Sequence, residues 1–188
     1  HFVPNLTWGP VFINAIKQAT SRPLHIHAMV SEPFKILSML KLSEHDTFIF
    51  HYESVIPQEV LSLIQAIRTK GINVGIAISP QTPIEYIFDF LAYLDMVLLM
   101  AVEPGFSGQK FIPEVVNKVA PLFHMKTQHA HTFLVGMDGG ICLNNIASLV
   151  HAHVNNVAIA SAIFDKENPA VALAELYHCA LGKQDKKL

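Results

Sequence analysis

Several residues able to carry proton or metal chemistry stand at the ends of short apolar runs. His25, His27 and Met29 alternate within one run, and a period of two puts all three on one face of an extended strand. Other runs end at His51-Tyr-Glu-Ser54, at Ser79-Pro80, and at Met100 just before Glu103-Pro-Gly-Phe-Ser-Gly-Gln109. Two more end at Asp138-Gly-Gly140 and at Ala160-Ser-Ala162. Neutral imidazole and carboxylate together suit a divalent transition metal, so His27 and Asp138 are candidate ligands or proton carriers. Two ligands alone do not make a site, because catalytic zinc usually has three from the protein. On spacing alone His27 reads first as a hydrogen-bonded core histidine, and His25 and His51 more strongly so. Asp138 fits a purely structural role less well, since a carboxylate is rarely fully buried without a partner. It could instead cap a helix beginning near Leu143. Met29 and Met100 read most simply as core filler. His124, His129, His131, His151 and His153 fall at helix ends and in loops without ligand spacing, and read as solvated.

The glycines suggest an anion site. A Gly-rich turn followed by a helix N-terminus presents free backbone N–H groups and a positive dipole end. Gly139, Gly140, Ala160 and Ser161 suit that role, and Gly105 and Gly108 would let a further loop close over the same group. Any one of these glycines is equally well explained by a turn. Their shared position at strand ends favours the phosphate reading.

The elements that must position these residues follow from the alternation of the text. Runs of strand length occupy Leu24–Val30, Thr47–His51, Asn73–Ser79, Met96–Val102, Thr132–Met137 and Val154–Ala160. Between them apolar residues recur at helical spacing: Val60, Leu61, Ile64 and Ile67; Ile84, Ile87, Phe88 and Leu91; Val115, Val116, Val119 and Phe123; Ile146, Leu149 and Val150. A first helix is expected from Pro10 to Ala19, with Pro at its start, and a last one from Pro169 to about Leu181. Strand then helix, repeated six times, indicates a parallel α/β sheet. An open doubly wound sheet would share this period, but no G-x-G-x-x-G follows an early strand and no Walker pattern is present. The expected fold is a (β/α)8 barrel, whose catalytic groups lie at the C-terminal ends of the strands. A closed barrel needs eight strands, so one strand, one helix and a second strand are expected upstream of His1. Residues 1–182 are expected to form one domain and 183–188 a frayed tail.

Composition bounds the partners. The chain has 188 residues, 51% hydrophobic and 15% charged, which argues against disorder. A chain of this size buries roughly 70% of its unfolded surface and needs no disulfide or metal staple. A net charge of −2 without a Lys/Arg run makes a poor nucleic-acid binder. Mean hydropathy is +0.36. The longest clean apolar run, Met96–Val102, is 7 residues, far short of the ~20 that span a bilayer. No signal peptide opens the sequence, and the two cysteines, Cys142 and Cys179, make neither a disulfide framework nor a zinc motif. A reducing, cytoplasmic setting is expected.

His1-Phe-Val-Pro-Asn-Leu-Thr-Trp-Gly-Pro10, His27-Ala-Met-Val30, Val102-Glu-Pro-Gly-Phe-Ser-Gly-Gln-Lys-Phe-Ile-Pro-Glu114, Asp138-Gly-Gly-Ile141 and Ser161-Ala-Ile-Phe164 closely resemble the ribulose-phosphate 3-epimerase family. The likeness runs along the whole chain in order, and its most specific block is Glu103–Glu114. The resemblance implies a (β/α)8 barrel that interconverts D-ribulose 5-phosphate and D-xylulose 5-phosphate in the pentose phosphate pathway. One aspartate removes the C3 proton and a second delivers a proton to the opposite face, with one divalent metal ion (Zn, Fe, Mn or Co) holding the enediolate oxygens. It implies that Asp138 is one of the two acid/base aspartates and a metal ligand, and that His27 is a metal ligand. It further implies that Met29 and Met100 pack near the intermediate. Gly139, Gly140, Ala160 and Ser161 match the phosphate cradle, and Gly105, Phe106, Ser107 and Gly108 the mobile flap. The implied partners are a phosphorylated ketose and further copies of the chain in a homo-oligomer, with no nucleic acid and no membrane.

The chain departs from the family pattern in several places. The family's other aspartate and another metal histidine lie in an H-x-D-x-M-D-G strand immediately before the residue matching His1, and the family's first-strand serine is also absent. His25 stands where aspartate is usual, Ala28 where leucine is, and Ala160 where glycine is; His51-Tyr-Glu-Ser54 is a variant strand ending. Two further readings follow from these departures. One is a non-catalytic phosphate-binding paralogue with open sheet edges that invite a partner. The other is an epimerase for a different ketose phosphate, such as allulose 6-phosphate.

Overall fold

The six apolar runs form six strands in a computed structural model that describes residues 2–5, 7–106 and 108–182. They are β1 (His25–Ala28), β2 (Thr47–His51), β3 (Asn73–Ile78), β4 (Met96–Met100), β5 (Leu134–Asp138) and β6 (Asn156–Ala158). All pairings are parallel and the strands stand side by side in chain order. The result is a curled half-barrel, two strands short of the eight that close a barrel. Ser107 and the tail 183–188 lie outside the described residues.

Alternation along the strands builds two cores. Phe48, Phe50, Val74, Ile76, Ile78, Val97, Leu99, Val135 and Met137 point outward and are buried under helices. The principal cover is α3 (Val60–Thr69), with Val60, Leu63, Ile64 and Ile67 buried. Each fully buried Phe or Ile contributes about 1.5–3 kcal/mol, so this layer holds the strands in place. The intervening residues point inward: Ile49, Ala77, Met96, Leu98, Met100 and Val102 form a separate inner cluster, with Met29 against it. This inner cluster is the floor on which the polar strand ends stand.

The helix α1 spans Pro10–Ala19, as its Pro start predicts, and the last helix, α7, spans Pro169–Ala180. Two short helices escape the sequence pattern, α2 (Pro33–Met39) and α6 (Ser161–Phe164). Each has too few turns to display a period. Ile84–Tyr93 and Pro113–Lys118 are 3-10 helices, and α4 (Val119–Gln128) continues the second. Apolar spacing of three, as in Ile84 and Ile87, serves 3-10 and α geometry alike. The alternative role of Asp138 as a helix cap is not realised. The next helix, α5 (Ile146–His151), starts well beyond it. Its preceding turn is organised by Asn145, which accepts from the Cys142 amide at 2.8 Å and donates to the Gly140 carbonyl at 3.0 Å.

At the opposite end of the sheet, Asp46 is wholly buried and accepts from Lys17 Nζ (2.8 Å), the Leu24 amide (2.8 Å), the Ser43 amide (2.7 Å) and the Ser43 hydroxyl (3.0 Å). Burial pushes its carboxyl up, but these donors together hold it below the usual carboxylate range. No residue of α1 is fully buried, so this ion pair is a principal anchor of that helix.

Candidate active site

The C-terminal strand ends open into one cavity of about 550 Å³. His27, Met29, Met100, Gly105, Phe106, Gly108, Asp138, Gly139, Gly140, Ala160 and Ser161 all line it. Every predicted site residue among the described ones therefore reaches one place. The strands β1 and β5 are not neighbours, yet Asp138 Oδ2 lies 3.4 Å from His27 Nδ1. Asp138 is fixed from behind, because its carbonyl accepts from the Ala101 amide at 2.7 Å, next to its register partner Met100.

His27 has a second partner. Its Nε2 lies 2.8 Å from Nε2 of His51, with the rings stacked at an interplanar angle of 17°. His51 is wholly buried, covered on one side by the ring of Phe2 at 4.5 Å. Its Nδ1 meets Glu53 Oε2 at 3.3 Å. Glu53 Oε1 in turn accepts from the Ser79 amide at 2.7 Å and from the Thr82 hydroxyl. Lys118 Nζ secures the same loop from below by donating to the carbonyls of Ser79 (3.0 Å), Pro80 (2.8 Å) and Thr82 (2.7 Å). Burial alone would push the Glu53 carboxyl up; donors from His51, Thr82 and Ser79 instead hold it down at about 2. Burial pushes His51 below the ordinary histidine value despite the nearby Glu53. The expectation of core histidines is thus met in part: His51 and His27 are hydrogen-bonded, but to each other and into the cavity wall, whereas His25 is exposed.

The glycine loops have steric reasons. Gly139 (φ 110°) and Gly140 (φ 62°) turn the chain out of β5. A Cβ on Gly139 would come within 2.4 Å of Val102, and one on Gly140 within 2.5 Å of the Phe111 amide nitrogen. Neither position has room for a side chain, and both glycines line the cavity. Ala160 precedes α6 with a φ of −118°, which any residue adopts, and its carbonyl accepts from the Ile163 and Phe164 amides. The loop after β4 is braced by Gln109, whose Nε2 donates to the carbonyls of Glu103 (2.7 Å) and Phe106 (2.9 Å).

Two electron-pair donors 3.4 Å apart suit a cation. Ligands about 2.0–2.1 Å from a tetrahedral zinc stand about 3.3 Å from one another. His27 and Asp138 fit as two ligands of one metal ion, while the described residues provide no group of three or more His, Cys, Asp or Glu side chains. Sequence reasoning gave no role at this site to three residues: His51, read only as a core histidine, Glu53 and Asn5. Asn5 Oδ1 is buried beside the cavity and finds no hydrogen-bond partner among the described residues. A His-x-Glu spacing at the end of the strand next to His27 was the available signal for the first two. Of the remaining histidines, His124, His129, His151 and His153 are exposed as expected, although His153 stacks on Phe123 at 4.0 Å, while His131 is half-buried.

Comparison with known proteins bears on the fold and the family. Among solved structures the chain is similar to a 3-hexulose-6-phosphate synthase (TM-score 0.64, 14% identity, 89% of this chain and 78% of that one). It is also similar to a tryptophan synthase α-subunit from Pyrococcus furiosus (TM-score 0.58, 16% identity, 92% and 71%). These TIM-barrel enzymes speak for the fold alone. In sequence the chain is 35% identical over 164 residues to a ribulose-phosphate 3-epimerase of Treponema pallidum, covering 87% of this chain and 74% of the relative. It is 32% identical over 177 residues to the enzyme of that name from Bacillus subtilis, covering 94% and 81%. The profile of the ribulose-phosphate 3 epimerase family matches residues 1–164, and the chain belongs to that family.

Proposed function

We propose that this protein is a metal-dependent epimerase that interconverts D-ribulose 5-phosphate and D-xylulose 5-phosphate. The observation that carries this reading is the approach of Asp138 to His27 at the mouth of a cavity edged by the bare Gly139-Gly140 backbone. A proton beside a ketone is too weakly acidic for a carboxylate to remove unaided. A divalent ion held by His27 and Asp138 would supply Lewis-acid stabilisation of the charge that develops on the sugar oxygens. Asp138 takes the C3 proton on one face, and a second acid returns a proton on the other, which inverts the carbon. The amides of Gly139, Gly140 and Ser161 hold the phosphate, and the 105–108 loop covers it. Met29 and Met100 present an apolar wall that keeps water from the carbanion. Asn5 Oδ1 offers an acceptor to a sugar hydroxyl. We place the enzyme in the cytoplasm as a homo-oligomer; both cysteines are free, and no helix among the described residues is long and apolar enough to cross a membrane.

The test is turnover of D-ribulose 5-phosphate with Zn²⁺, Fe²⁺, Mn²⁺ or Co²⁺ added, with Asp138→Asn beside the wild type. Turnover lowered about 10²–10⁴-fold by that substitution is the expected result. Equal rates for the two proteins, or none for either, reject the assignment. Binding of the sugar phosphate without turnover points to the non-catalytic paralogue, and faster turnover of allulose 6-phosphate to the other ketose.

A further inference from the structure

The 2.8 Å contact between the Nε2 atoms of His27 and His51 contains one proton, and its surroundings say whose it is. Glu53 is an acceptor at both oxygens. Oε1 receives the Ser79 amide and the Thr82 hydroxyl, donors that favour the ionised form of a group already ionised near neutral pH, so Oε2 faces His51 as part of a carboxylate. Nδ1 of His51, 3.3 Å away, therefore carries a proton. His51 is wholly buried, and a neutral imidazole has one N–H only. Its Nε2 is then an acceptor, and the shared proton belongs to Nε2 of His27. On a neutral His27 the lone pair is then on Nδ1, which faces Oδ2 of Asp138 at 3.4 Å. Two acceptors facing each other at that distance repel unless a cation lies between them.

We propose that Glu53 and His51 form a positioning relay that holds His27 as its Nε2–H tautomer, so that Nδ1 is presented with Asp138 to a divalent cation. Neither relay residue touches the cation or the sugar. Partners of this kind, behind a metal-ligating histidine, fix its tautomer and ring orientation. The relay rests on the metal-dependent reading of the same site. It also explains why a carboxylate stands at position 53. In Glu53→Gln the Ser79 N–H retains the amide oxygen and turns the NH2 toward Nδ1 of His51. That nitrogen must then accept, the His51 proton moves to Nε2, and His27 is driven to the Nδ1–H form that cannot bind a cation.

The test is NMR of the full chain labelled with ¹⁵N in histidine, with Zn²⁺ added at about pH 8, above the ordinary histidine pKa of about 6.5. The expected result is a protonated Nδ1 on His51, a protonated Nε2 on His27, and zinc on Nδ1 of His27. Zinc affinity, read by chelator competition, should fall about 10–100-fold in Glu53→Gln. His51→Gln, whose amide oxygen can accept from the Nε2–H of His27, should restore most of the affinity that His51→Phe loses. A proton on Nδ1 of His27 in the zinc-treated wild type overturns the relay, as does wild-type zinc affinity in Glu53→Gln. Turnover of D-ribulose 5-phosphate in the same samples separates the two proposals. Relay tautomers without turnover uphold the relay and reject the epimerase; turnover with the opposite tautomers does the reverse.

Discussion

Nδ1 of His27 and Oδ2 of Asp138 stand 3.4 Å apart although β1 and β5 have three strands between them. Strands lie about 4.8 Å apart, so a flat sheet would separate these two by about 19 Å. The contact therefore records the curl of the sheet, and the chemistry of the site depends on the whole half-barrel. Whatever holds the outer helix layer in place also holds this pair.

Asp138→Asn keeps the size of the side chain and removes the base. General acid–base groups contribute about 10²–10⁴-fold, so kcat should fall by that factor with little change in KM. Steady-state kinetics check this, together with exchange of the C3 hydrogen of D-xylulose 5-phosphate in deuterated water. Exchange at the wild-type rate would show that another group takes the proton.

Gly140→Ala tests the bare turn. The new methyl would meet the Phe111 backbone at 2.5 Å, and backbone yields less readily than a flexible side chain. A cost of about 1–3 kcal/mol is expected in chemical denaturation. KM for the phosphorylated sugar should rise more than kcat falls, because the turn is proposed to bind the phosphate. Unchanged KM would place the phosphate elsewhere.

Asp46→Asn should be among the most destabilising single substitutions, at about 3–5 kcal/mol, since it leaves Lys17 without its partner and confronts one of several N–H donors with another donor. Lys17→Met alone should cost less, because Asp46 keeps three of its donors. A double-mutant cycle measured by urea unfolding should give a coupling of at least ~1 kcal/mol. Simple additivity would show that the pair does not anchor α1.

Much of this architecture is readable in one sequence because the strands lie in short, largely apolar runs and α1 and α7 both begin at a proline. The inner and outer faces follow from alternation: Ile49 and His51 go one way, Phe48 and Phe50 the other. The site is less legible. His27 and Asp138 stand out only through the motifs around them, since their 3.4 Å approach is made across 110 residues of chain and a curled sheet. The role of His51 is hidden by the same property that defines it. A histidine at the end of an apolar strand looks like any core histidine until β1 lies beside β2 and supplies the ring it faces. Glu53 is harder still, because its partners Ser79 and Thr82 come from the loop after β3. The short α2 and α6 have too few residues for a period to declare itself.

The Glu53 carboxyl gives the last prediction, on stability against pH. Its folded value of about 2 lies below its ordinary value of 4.5. A group depressed on folding contributes fully above its unfolded pKa, and the contribution is lost as pH falls through the folded one. Wild type should therefore exceed Glu53→Gln by about 2–3 kcal/mol at neutral pH, allowing for the partial exposure of the side chain. The difference should shrink steadily between about pH 4.5 and pH 2. Urea unfolding of both proteins at about pH 7 and about pH 3 measures it. His51 is also depressed, by burial, so its contribution is lost at higher pH, as pH falls below its ordinary value of 6.5. That loss begins above the Glu53 window, and His51→Gln should remove it while leaving the Glu53 loss below about pH 4.5 in place, because Ser79 and Thr82 still donate to Glu53. A gap between wild type and Glu53→Gln that is as wide at pH 3 as at pH 7 would mean that position 53 stabilises the fold by packing and not by the charge of its carboxylate.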